Sequence, residues 1–245
     1  MQIATHWHQI FGEHEGRLLS TVGDCNAFAV ETSAGLVLFD AGTGIDPEAQ
    51  QRALAAAGFP EGPKHLFLTH GHADHAGGAS ALASRYAAVV YAGPITADWL
   101  GAGNEAKISL PSARRGGVYP PGYVYRPVQV DHVVTEGATI LLGDVEITPV
   151  ATPGHSADHW SYVVGVDGRS TLIAGDALFA GGTVILQDTW DSSVAQTCAS
   201  IRRMRTLAFD AMLSGHGPPV LSDAASHVDT AMQRIDRLLP PLNLL

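Results

Sequence analysis

A chain of 245 residues with 46% apolar and 16% charged side chains can bury a sizeable core and is not a disordered polymer. Its formal net charge of −10 denies it the basic footprint that nucleic acid requires. Two cysteines, Cys25 and Cys198, in no CxxC spacing, exclude a disulfide framework and fit a reducing compartment.

The first residues, Met1 to His8, carry no basic and apolar leader, and no run approaches the roughly 18 apolar residues of a membrane span. A cytoplasmic location without membrane contact is therefore expected. Strands are predicted at 18–22, 26–31 and 36–39, separated by the turn chemistry of Gly23-Asp24 and Ser33-Ala34-Gly35. Asp40 closes the last of them, as a turn residue or as a group that orients a site. Asp46-Pro47-Glu48 reads as N-cap, N1 and first turn of a helix that Gly58 ends. A buried strand at 65–69 and a helix over 74–84 follow, then a strand at 89–91 and a short helix at 94–100.

Residues 101–126 differ in character. Gly, Pro and aromatic residues without periodicity read as a long loop or broken helix, inserted as a lid or as a solvated or oligomer-contact segment. Arg114 and Arg115 there could hold an acidic group, and Tyr119, Tyr123 and Tyr125 could line a pocket. Two hairpins are predicted next, through Gly143-Asp144 and Asp167-Gly168, then a helix over 192–207, a strand at 211–213 and a helix over about 223–238. The whole, 1–245, reads as one α/β domain.

Chemistry concentrates in Thr69-His70-Gly71-His72-Ala73-Asp74-His75, on a strand-to-helix loop. An HxHxDH pattern should arise in roughly two random chains per thousand of such composition. His155, in a TPGH loop, Asp176, in a GDA turn, and His216, in a GHG turn, also follow short buried strands. Neutral imidazole with carboxylate suits zinc, and also iron or manganese. Six or seven such donors exceed what one tetrahedral ion takes, so two divalent ions are expected, zinc first. His159 reads as a satisfied strand histidine and Cys25 as a buried structural thiol.

The set His70, His72, Asp74, His75, His155, Asp176 and His216 resembles the metallo-β-lactamase superfamily. That resemblance implies a four-layer αββα sandwich with metals at one edge. It implies His70, His72 and His155 on the first ion, Asp74, His75 and His216 on the second, and Asp176 bridging them. It places Asp40 behind a ligand histidine and makes Asp74 and Asp176 the candidate proton carriers. The implied reaction is hydrolysis of an ester, lactone or thioester of a small molecule by a metal-bridging hydroxide.

The lactonase members carry Tyr three residues after the bridging Asp. Phe179 stands there in this chain, so a hydroxyl from Tyr119, Tyr123 or Tyr125 would have to replace it. A mononuclear iron persulfide dioxygenase is the rival reading, and a β-lactam hydrolase a lesser one. A homodimer stays open.

Overall fold

The computed structural model describes residues 1–244. They fall into two compact units that meet in sequence between Val134 and Thr135.

The first unit is built on a seven-stranded sheet. Its strands are β1 (Gln2–Ala4), β2 (Trp7–Gln9), β5 (Phe28–Thr32), β6 (Gly35–Phe39), β7 (His65–Phe67), β8 (Val89–Ala92) and β9 (His132–Val133), in that order across the sheet. A two-residue hairpin, β3 (Glu13–His14) and β4 (Arg17–Leu18), stands apart from it. The predicted strand at 18–22 is therefore not formed beyond Leu18. The pairings from β6 to β9 are parallel, and the connections between them carry α1 (Pro47–Ala56), α2 (Ala73–Ala76), α3 (Ala79–Tyr86), α4 (Pro94–Gly101) and α5 (Leu110–Arg115).

Side-chain alternation sorts this sheet into two faces. Leu38, Leu66 and Val90 share one row and pack with Leu54, Leu82 and Leu100 of the helices into a core. Phe39, Phe67 and Tyr91 form the row on the other face, with Phe67 stacked on Tyr91 at 4.2 Å between centroids. All three rings are buried.

Helix α1 starts as its sequence dictates: the Asp46 side chain accepts from Ala49 N at 2.9 Å and Pro47 takes N1. The helix expected over 74–84 is instead two, broken at Gly77-Gly78. There the backbone of residues 41–44 comes down on the helix, and Gly78 N donates to Gly42 O at 2.9 Å. A Cβ on Gly77 would strike Thr43 O and the Tyr123 hydroxyl, and one on Gly78 would strike Ala41 O. Only glycine permits this approach.

The 101–126 stretch is not a solvated insertion. Ile108, Leu110, Tyr119, Tyr123 and Tyr125 are buried in the core of this unit.

The second unit is built on a five-stranded sheet of β10 (Ile140–Leu142), β11 (Val145–Ala151), β12 (Trp160–Val166), β13 (Arg169–Gly175) and β15 (Ala211–Ser214). Both predicted hairpins are present. The second turns through Asp167 and Gly168 at φ 49° and 72°, the pair of positive values that a tight two-residue hairpin takes. Strand β14 (Thr183–Val184) pairs with β16 (Leu242–Asn243) as a small separate sheet.

Helices α6 (Val194–Met204) and α7 (Ala225–Ile235) set Ile201, Met204, Val228 and Met232 against Leu172 and Met212 of the sheet. Ser193 caps α6, accepting from Gln196 N. Among the described residues no helix is long and apolar enough to cross a membrane.

Candidate metal centre

In the first unit, four donors follow β7 within six residues. His70, His72 and His75 are buried and Asp74 is partly so. The rings of His72 and His75 lie 4.6 Å and 4.2 Å from that of His70. His75 Nε2 faces Asp74 Oδ2 at 3.6 Å.

The other ring nitrogen of His75 is fixed from behind. Its Nδ1 lies 2.8 Å from Asp40 Oδ2. Asp40 stands in the left-handed region at φ 64°, which its short polar side chain tolerates. Its Oδ1 accepts from Thr69 N at 2.8 Å. The Thr69 hydroxyl is also 3.0 Å from His70 Nδ1, so one buried Asp–Thr pair orients two histidines. Holding Nδ1 as the donor leaves Nε2 as the lone pair that a metal needs. Asp40 is thus an orienting group, and Thr69, which the sequence reading passed over, is its partner.

Cys25 also lies here. Its sulfur belongs with Asp40 and His75 to a buried group whose ligand atoms lie within 4.8 Å of one another. Burial pushes the thiol up to about 12, so at neutral pH it is protonated.

Asp24 ties the surrounding loops together. Its Oδ1 accepts from both the amide and the hydroxyl of Thr43, at 2.7 and 2.6 Å, and its Oδ2 accepts from the Ser20 hydroxyl at 2.7 Å. Nothing local in the sequence announces the Thr43 contact, which spans 19 residues.

Tyr119 reaches Asp74. Its hydroxyl donates to Asp74 Oδ1 at 3.1 Å, while Tyr123 stacks on Tyr119 at 5.0 Å and donates to Thr43 O at 2.8 Å. Burial and the neighbouring Asp74 raise the Tyr119 phenol, so it stays a donor. Tyr125 is buried as well.

Arg114 is engaged within the fold: both terminal nitrogens meet the Glu105 carboxylate, at 2.6 and 2.8 Å, and one also donates to Tyr123 O. Arg115 donates to the Ser112 hydroxyl and is exposed.

In the second unit, His155 follows β11, Asp176 follows β13 and His216 follows β15, so three strand ends deliver three donors. His155 and His216 turn Nε2 toward the same oxygen, Asp176 Oδ2, at 3.5 and 3.4 Å. His155 Nδ1 lies 3.2 Å from Ile185 O, which marks it as the protonated nitrogen. Phe179 is buried, with its ring 6.2 Å from that of His216.

His159 is satisfied, as expected, but it also positions Asp176. Asp176 N donates to its Nε2 at 3.0 Å, and its Nδ1 lies 2.8 Å from Thr152 Oγ1. Its place four residues after His155 was the available signal.

The donor set fits metal. Ligand bonds of about 2.1 Å at tetrahedral angles put neighbouring donors about 3.4 Å apart. The nitrogen–oxygen separations of 3.4, 3.5 and 3.6 Å match that spacing. They are long for hydrogen bonds.

Residues 20–216 match the profile of the family described as the metallo-beta-lactamase superfamily. The chain belongs to the metallo-beta-lactamase superfamily. Within it, the chain is 25% identical over 228 residues to an atrochrysone carboxyl ACP thioesterase of Aspergillus fumigatus, covering 91% of this chain and 45% of that protein. It is 25% identical over 224 residues to a beta-lactamase-like protein 2 homolog of Caenorhabditis elegans, covering 90% and 64%. The chain thus spans less than two thirds of the length of these curated relatives.

A metallo-beta-lactamase of Cronobacter sakazakii, a HARLDQ-motif variant, shares the fold with a TM-score of 0.74 at 21% identity, over 97% of this chain and 95% of that one. A subclass B3 metallo-beta-lactamase of Bradyrhizobium japonicum does so with 0.65 at 23% identity, over 87% and 86%. The expected α/β class is therefore the metallo-beta-lactamase fold. Histidine and aspartate groups able to hold divalent metal accompany it.

Proposed function

We propose that this superfamily member is a metal-dependent hydrolase that cleaves an ester-type carbonyl bond, a thioester, lactone or ester, in a small molecule. The reading uses two divalent ions, zinc first. His70, His72 and His155 hold one and Asp74, His75 and His216 the other, with Asp176 shared. The observation that carries it is the pair of imidazoles, His155 and His216, that face one carboxylate oxygen of Asp176 at metal-ligand spacing. A single oxygen facing two such nitrogens suits a shared ligand.

Divalent metal at such a site supplies activated water near neutral pH and polarises a carbonyl. The protein's own residues do the rest. Asp40 and Thr69 hold His75 and His70 in the ligating tautomer. Tyr119 engages Asp74 Oδ1, which leaves Oδ2 as the oxygen that can ligate or carry a proton. The backbone amide of Asp176 is anchored on His159, which fixes the shared carboxylate.

The similarity to the fungal thioesterase favours a thioester among the ester-type bonds. The net charge of −10 supports a small-molecule partner over nucleic acid. The free cysteines accord with the cytoplasm.

The test is elemental analysis of protein purified without added metal, joined to a substrate panel. The panel holds a thioester, a lactone, an aryl ester, a chromogenic β-lactam and a phosphodiester. Two transition-metal equivalents with turnover of a carbonyl ester are expected. One equivalent of iron, with sulfite formed from glutathione persulfide, would replace this reading by the dioxygenase.

A further inference from the structure

Beside Tyr119 the first unit carries an open trough of about 820 Å³. Its walls include Val22, Ile45, Val118 and Pro121, and Tyr119 also lines it. Val22 is 76% and Val118 63% exposed, although large apolar side chains are usually buried. Both stand on the one concavity. The lining also includes Arg114 and Arg115 and no acidic residue, in a chain of net charge −10. Arg114 is neutralised by Glu105, whereas Arg115 has no ion pair among the described residues. The trough therefore offers an apolar floor and one available cation. Tyr119 links it to chemistry, because the same side chain donates to Asp74.

We propose that this trough binds the acyl arm of the substrate, an unbranched apolar chain that ends in an anionic group held by Arg115. The proposal rests on the hydrolase reading above and names its substrate class: ω-carboxylated, medium-chain acyl esters or thioesters. Full burial of a methylene is worth about fourfold in affinity, and an open trough covers about half of each, so about twofold per methylene is expected. An exposed ion pair adds up to about fivefold.

Two measurements test it. The first is kcat/KM of the metal-loaded protein for thioesters with acyl chains of four to ten carbons, with and without a terminal carboxylate. The rate should climb with chain length and rise again with the carboxylate. The second is calorimetric binding of butanoate, decanoate and decanedioate to metal-depleted protein, which reads the trough without catalysis. Decanoate should bind at least tenfold tighter than butanoate, and decanedioate tighter still. Val118→Asp should flatten the chain-length series in both assays, and Arg115→Gln should erase the preference for the terminal carboxylate. Both positions are exposed, so neither change threatens the fold. Equal binding of butanoate and decanoate, or series unmoved by Val118→Asp, would overturn the proposal. Ligand binding as expected, with no ester or thioester cleaved, would instead overturn the hydrolase reading and leave the trough as a carboxylate-binding site.

Discussion

Asp40 and His75 form a buried pair, 35 residues apart in sequence, with Oδ2 and Nδ1 2.8 Å apart. The carboxylate fixes the tautomer of the ring, and its charge raises the basicity of the far nitrogen. Asp40→Asn removes the charge and turns an amide NH2, in place of the accepting Oδ2, toward His75 Nδ1, so it also disfavours the tautomer with the proton there; asparagine still tolerates the left-handed backbone at this position. The amide oxygen can still accept from Thr69 N. The variant should fold, with a loss of about 1–2 kcal/mol in urea unfolding. Its metal affinity should fall about 10–100-fold in a chelator competition. Unchanged affinity would remove Asp40 from the site.

Gly78→Ala should cost about 1–3 kcal/mol, an overpacking penalty, because the new methyl group meets the carbonyl of Ala41 rather than a movable side chain. Thermal unfolding of metal-depleted protein would measure it. A neutral outcome would show that the 41–44 loop can retreat from the helix.

That glycine step also shows where sequence reading stops. Alanine-rich residues from 73 onward favour helix, and the local pattern does not tell a continuous helix from a broken one. The break is caused by the loop at residues 41–44, far outside any local window. By contrast the Asp46-Pro47 start of α1 was legible because cap and partner are three residues apart. The donors of the HxHxDH loop were legible for the same reason. His155, Asp176 and His216 were legible through the turn motifs that hold them. What escaped were partners joined only by folding: Thr69 on Asp40, Asp24 behind Thr43, and His159 behind Asp176. The 101–126 stretch escaped differently. Its tyrosines have no helical or strand period, yet they are core residues of the first unit.

His65 gives a pH prediction. It lies on the same sheet face as Phe67 and beside Tyr91, and burial together with the nearby charge of His132 lowers its pKa. A lowered histidine favours the neutral ring in the fold. Its contribution to stability is present above the unfolded value of about 6.5 and is lost as pH falls from there through the lower folded value. Urea midpoints at pH 7 and pH 5 should therefore differ less in His65→Gln than in the wild type. An equal difference in both would place the acid sensitivity elsewhere.

The hydrogen bonds around His159 run in one direction. Asp176 N donates to Nε2, so that nitrogen bears the lone pair and Nδ1 carries the proton toward Thr152 Oγ1. The Thr152 hydroxyl must then donate onward, to Ser161 Oγ at 2.9 Å, and Ser161 donates to Ala174 O. Such a chain has one consistent set of proton positions, and removing any member costs each buried neighbour a hydrogen bond. His159→Leu should therefore cost about 2–4 kcal/mol, more than its loss of volume, because the Asp176 amide loses its acceptor at Nε2 and the Thr152 hydroxyl loses the proton it accepts from Nδ1. Thr152→Val alone should cost about 1–2 kcal/mol. The double variant should cost less than the sum of the two, with a coupling of about 1 kcal/mol or more in a double-mutant cycle. Additive losses would mean that His159 supports Asp176 by packing and not through this chain. In that case His159→Leu should leave metal affinity unchanged, whereas the hydrogen-bonded arrangement predicts that it falls with the loosened carboxylate.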